Sequence, residues 1–274
     1  MVEKPLGSWS EYLEEVRCLA RSYGDRWPPP VFRGLGDSGW SLKTTLERSY
    51  PDERGDQGMS FRDYYFKVAA SKGAVEMLTG RRWENVPDYG QFNEILENDP
   101  GGLRTILTDR DEIYEYLIYL RHHGFPSPLL DWTASPYVAA FFAFDTVISG
   151  ADRVGVYAFV ESQPSVSSGR QLIPVGPYGR SHPRHLSQQC WYWMCVEMRP
   201  LQADYLIHGQ DEAMTEAAAP EGKMLKFTIP AAERLVALKE LELMNVNLFS
   251  LFGSEDSLVR TVARREFLFR SRKR

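Results

Sequence analysis

Three clusters in this sequence carry side chains suited to chemistry. The first is Phe32-Arg33-Gly34 with Trp40. An arginine leaving a buried strand into a glycine-rich loop (GLGDSGW, 34–40) is placed to hold phosphate or carboxylate, because its planar fork makes two parallel charge-assisted bonds. Pairing with an internal carboxylate, which would staple the loop, is the competing use. The second cluster is His122-His123-Gly124 followed by Leu129-Leu130-Asp131-Trp132-Thr133. Adjacent histidines on a helix point in different directions, so the pair does not ligate one metal as an i, i+4 pair would. One of them, at a helix C-terminus, is favoured as a cation or donor. Asp131 and Thr133 stand at a strand-to-helix junction, where short polar side chains line a pocket or cap the helix. The third cluster, Arg184-His185-Leu186-Ser187-Gln188-Gln189, is a basic, polar approach to an aromatic strand. The run Trp191, Tyr192, Trp193 reads as core and edge packing and not as a nucleic-acid stacking platform. The sequence holds no phosphate-loop, HExxH, GxSxG or dinucleotide GxGxxG pattern.

Several elements must position these residues. Residues 8–22 have an amphipathic spacing with a Ser8/Glu11 capping box. Prolines at 28–30 stop that helix, and Val31–Gly34 follows as a short strand. Helices are expected over 60–79 and from about Asp109 to His123, the latter capped by Asp109 and Glu112. Residues 80–108 read as mixed, with loops. Leu129 and Leu130 open a short strand, and Ser135 with Pro136 starts a helix that is apolar on every side and therefore buried. Strands are expected at 154–160, 188–198 and 225–230, a long Ser/Pro/Gly loop at 161–183, and closing helices at 231–243 and 254–266. Strands scattered among helices, without a βαβ rhythm, imply an α+β fold. The expected sheet is small, partly split and mixed or antiparallel, flanked by helices.

The 274 residues carry 32 basic and 37 acidic side chains, with 43% hydrophobic residues. That composition excludes disorder, and the acidic balance gives no bulk attraction to nucleic acid. The longest apolar run, Tyr137 to Phe144, is far short of a membrane span. No secretory signal is visible, and three scattered cysteines make neither a disulfide scaffold nor a zinc site. A cytoplasmic protein of one domain is expected over 1–274, with a core at about 9–258 and a short polar C-terminal tail.

The blocks SWSEYLEEVRCL, VFRGLGDSGWSLKTTLERS, RHHGFPSPLLDWTASPYVAAFFAF, RHLSQQCWYWM and LELMNVNLFSLFGSEDSL resemble, in order, the FRG-domain family, a bacterial group named for its Phe/Tyr-Arg-Gly motif. The pattern departs in places. Arg121 stands where the family has glutamine before His-His-Gly, Ser127-Pro128 replaces a Thr-Arg pair, and Cys190 replaces a glycine. The resemblance implies a part in a bacterial toxin or defence system.

A second resemblance, to NAD-dependent ADP-ribosyltransferases, rests on the order of Arg33, then Thr133 ahead of SPYVAAFFA, then Gln188 or Gln189. It implies an ADP-ribosyltransferase-like fold with NAD as co-substrate and a protein or nucleic-acid target. Arg33 would hold a phosphate, Thr133 would brace the nicotinamide ribose, and the third position would orient the ribose or the nucleophile. Glu197 or Asp131 would supply a carboxylate that Gln cannot. The catalytic candidates are Arg33, Thr133, Gln188 and His123. The cofactor-binding candidates are Arg33, Gly34, Trp40, Asp131, Trp132 and Thr133, with no metal ligands. The alternatives are a module that binds a nucleotide or other anionic metabolite without reaction, and a metal-dependent nuclease or hydrolase gathering Asp131, His123 and a second acid.

Overall fold

The computed structural model describes residues 1–24, 29–49, 58–99, 101–160, 166–167, 170–176, 184–199, 204–211 and 223–270. Its strands are β1 (Val2–Pro5), β2 (Val31–Leu35), β3 (Leu130–Thr133), β4 (Arg153–Val160), β5 (Val166–Ser167), β6 (Arg170–Val175), β7 (Cys190–Arg199), β8 (Asp204–His208) and β9 (Lys223–Pro230). Its α-helices are α1 (Trp9–Tyr23), α2 (Thr45–Ser49), α3 (Phe61–Thr79), α4 (Tyr89–Asn98), α5 (Gly102–Asp109), α6 (Asp111–His122), α7 (Pro136–Asp145), α8 (Arg184–Ser187), α9 (Arg234–Leu243), α10 (Leu248–Phe252) and α11 (Glu255–Arg264). The fold is α+β.

Eight of the nine described strands follow one path, β1-β9-β4-β2-β3-β7-β6-β5, and β8 branches from it by pairing with β7. All neighbours are antiparallel except β1 and β9. The sheet is larger than the sequence suggests, because β1, β6 and β8 are short or charged and carry little strand signal. It is nevertheless nearly split. Whereas β4 and β9 share eight residue pairs, β2 and β3 meet only at Phe32 and Thr133.

Register then decides which side chains share a face. Phe32 pairs with Thr133 and Thr133 with Cys190, so these three form one cross-strand row. Phe32 belongs to the core under α1, α7, α9 and α10, and Cys190 to the core under α3–α6. Two helix groups therefore cover one face of the sheet, on either side of its weakest join. The opposite face holds a third apolar cluster, including Val31, Leu35, Trp132, Phe159 and Trp193.

Local signals account for most helix starts. Ser8 Oγ accepts the amide of Glu11, but the Glu11 carboxylate takes Gly7 N at 2.7 Å and leaves the capping box half made. Ser135 Oγ accepts Val138 N, with Pro136 in the first turn of α7. α7 is buried among Trp9, Phe32 and the β4 valines, as its all-round apolarity requires. Asp109 does not cap α6. It ends α5, and α6 begins at Asp111 without a side-chain cap. Residues 80–108, expected to be mixed, hold α4, capped by Asp88 and Gln91, and α5. β5 and β6 fall inside the expected 161–183 loop, most of whose other residues lie outside the described ones, as do residues 25–28 and 271–274. Beyond residue 258 the chain stays structured as α11 and a π-helical turn, Arg265–Phe269. No helix among the described residues is long and apolar enough to cross a membrane.

Candidate functional site

Past the single Phe32–Thr133 pair, β2 and β3 part. The guanidinium of Arg33 occupies the place where the ladder stops, and its Nη1 donates to the main-chain carbonyl of Asp131 at 2.6 Å. Arg33 Nε is buried and has no hydrogen-bond partner among the described residues. Burial, with Arg121 and Arg48 nearby, presses the Arg33 guanidinium down to about 10, against the pull of Asp131. It stays charged at neutral pH.

Above this join lies a cavity of about 380 Å³, between the two helix groups. The row Phe32–Thr133–Cys190 borders it from the sheet, and Ala139, Phe142 and Phe252 add apolar wall. Four arginines line it, Arg33, Arg48, Arg121 and Arg184, against one carboxylate, Asp131. That carboxylate is already engaged. Arg121 grips it with Nε on Oδ1 and Nη2 on Oδ2, the second bond being 2.6 Å. Arg121 also donates through Nη1 to Thr45 Oγ1 at 3.0 Å. Burial pulls the Asp131 carboxyl upward, but Arg121, with Arg33 and His122, outweighs it and holds Asp131 below the usual carboxylate range.

Thr133 and Gln188 reach the same cavity with their polar groups engaged. Thr133 Oγ1 donates to Gln188 O at 2.7 Å and accepts Ser135 N at 3.0 Å. Gln188 Nε2 donates to Leu251 O at 3.0 Å, which fixes α10 against α8. The backbone of Gln189 takes a positive φ of 49°, and its carbonyl accepts Ala134 N. This turn leads from α8 into β7.

The other candidates separate. Gly34 lines the cavity, but its hydrogen faces α7. A Cβ there would lie 1.8 Å from Ala139 O, so the glycine is required for strand–helix packing. Trp132 borders the cavity through its strand, yet its ring is 2% exposed and lies against Phe159 on the opposite face. His123 is not at the cavity: it is exposed and its ring lies 4.5 Å from Tyr119. Successive residues on a helix diverge by about 100°, and His122 is the one that faces inward, sharing a 3.1 Å hydrogen bond with Tyr192 OH. Trp40 lies outside the cavity, in a neighbouring recess. Glu197 does not line the cavity either and pairs with His208 at 2.9 Å. Burial pushes the Cys190 thiol up to about 12, so it is an inert wall group.

Sequence reading missed Arg121, Arg48, Tyr192, Phe142 and Phe252. Arg121 had a detectable signal. It follows Ile113 and Leu117 at spacings of four, an arginine on the buried stripe of α6, and its side chain is 7% exposed.

The fold and cavity together define an α+β protein with a cationic pocket at the join of a nearly split sheet. Residues 29–151 match the family model of the FRG domain, which identifies that stretch as an FRG domain. No curated protein and no solved structure matches it. The matched stretch holds Arg33, Arg121, Asp131 and Thr133. Arg184, Gln188, Cys190, Tyr192 and Phe252 complete the cavity from beyond it.

Proposed function

We propose that the cavity binds a phosphate-bearing small molecule of the nucleotide class, with Arg33 as its main anchor. One observation carries this reading. Among the described residues, four arginines line a partly apolar cavity whose single carboxylate is already paired with Arg121, and Arg33 keeps a buried Nε–H without a partner. A phosphate would supply the missing acceptor through a charge-assisted bond. The phenylalanines suit the face of a base or sugar. Hydrolysis through a metal ion has less support, since no three His, Cys, Asp or Glu side chains gather among the described residues.

Thermal denaturation with inorganic phosphate, AMP and NAD tests the reading. A ligand at 100 times its Kd adds about 2.7 kcal/mol to the folded state. AMP is expected to raise the midpoint, and Arg33→Ala to abolish the rise. No rise with any of the three would contradict the reading.

NAD-dependent transfer to a macromolecular target is a second reading, favoured by the convergence of Arg33, Thr133 and Gln188 on one cavity. It requires a free carboxylate or its equivalent near the reacting sugar, and the Asp131 carboxylate is bound by Arg121. Nicotinamide release from NAD that disappears in Arg33→Ala would support transfer. AMP binding without any release would leave the non-reacting module.

A further inference from the structure

We infer that the ligand is a dinucleotide, two nucleosides joined through their phosphates, and that its second base stacks on Trp40. This rests on the nucleotide reading of the Arg33 cavity and extends it.

Next to that cavity is a second recess of about 430 Å³, bordered by Leu35, Gly39, Trp40, Ser41, Lys43 and Arg48. Arg48 lines both spaces. Arg33 and Leu35 sit two residues apart on β2, a separation of about 7 Å along a strand. Arg48, common to both linings, marks where a ligand held by Arg33 would pass from the first space to the second. Arg48 and Lys43 make no side-chain ion pair with the described residues, so the passage offers two cations to bridging phosphates.

Trp40 is 46% exposed, an unusual place for a large ring, but its backbone is held firmly. Trp40 N donates to Asp37 O at 3.1 Å, Ser38 N to Arg153 O at 2.9 Å, and Tyr157 OH to Trp40 O at 3.2 Å. Asp37 Oδ1 accepts Gly39 N at 2.7 Å, which ties the one acid of this turn into the turn itself. An exposed ring on a fixed turn beside two cations suits a nucleobase and its phosphate, because stacking needs a π face and little ordering of the loop. A polynucleotide fits less well. The chain has an excess of acids, 37 against 32 basic residues, and so no bulk attraction to a polyanion.

Calorimetric titration of the full chain with AMP, with P1,P2-di(adenosine-5′) diphosphate and with a single-stranded oligoadenylate tests the inference, using wild type, Trp40→Ala and Trp40→Phe. The dinucleotide is expected to bind about tenfold more tightly than AMP. Trp40→Ala should remove that advantage and leave AMP affinity unchanged, and Trp40→Phe should restore most of it. Equal affinity of AMP and the dinucleotide would overturn the second subsite while sparing the nucleotide reading. So would a dinucleotide advantage that survives Trp40→Ala. Tighter, Trp40-dependent binding of the oligoadenylate would also overturn the inference, in favour of a nucleic acid. Absence of binding by all three would sink the nucleotide reading itself.

Discussion

Asp131 meets two arginines with two different groups: its carboxylate lies against Arg121, and its main-chain carbonyl accepts Arg33 Nη1 at 2.6 Å. The pair with Arg121 fastens β3 to α6, and the bond to Arg33 ties β3 to β2 where their ladder has ended. One residue thus joins the two halves of the sheet to the helix group above it. Its neutralised carboxylate leaves Arg33 and the other arginines to set the sign of the cavity.

Asp131→Asn would break the ion pair and strand the buried Arg121. With 46% of the Asp131 side chain exposed, solvent softens the loss to about 1–2 kcal/mol. The folded-state carboxyl lies below its ordinary value, so its stabilisation is complete above about pH 5 and is lost as pH falls through the folded-state value. Urea midpoints should therefore differ between wild type and Asp131→Asn at pH 7 and draw together as pH falls below about 4. A difference that stays constant with pH would speak against the pair.

Thr133 positions its neighbours through one hydroxyl, which joins Gln188 O to Ser135 N. Thr133→Val would keep the shape and leave both partners unsatisfied, at a cost of about 2 kcal/mol. Thr133→Ser would keep both bonds and stay within about 0.5 kcal/mol of wild type. Chemical denaturation distinguishes the two. Equal stability of Val and Ser variants would show that the hydroxyl is not holding the α8–α7 junction.

Gly34→Ala should destabilise the protein by about 3 kcal/mol, because β2 or α7 must shift to clear Ala139 O. The loss should appear in thermal denaturation without ligand. A near-native midpoint would contradict the packing role.

Much of this architecture was legible in local signals. Ser135-Pro136 and the all-round apolar run marked α7, and alternation marked β4, because capping and burial are decided by neighbours in sequence. The choice of His122 over His123 was not legible, since it depends on how α6 is rotated against β7. Nor was the fate of Thr133, Gln188 and Asp131. Their types suit catalysis, but their partners, Gln188 O, Leu251 O and Arg121, come from distant segments that only the fold assembles. Trp132 illustrates the same limit: period-two alternation turns its ring away from Asp131 and Thr133, which only the strand register reveals.

Isothermal titration of AMP into wild type and Arg33→Met tests most directly whether Arg33 anchors a phosphate. Arg33→Met removes the bond to the Asp131 carbonyl but also relieves the burial of a charged group, so the variant is expected to fold with a loss of about 1 kcal/mol. AMP affinity in that variant should fall by about tenfold or more. A folded variant that binds AMP as wild type does would contradict the assignment of this cavity to an anionic ligand.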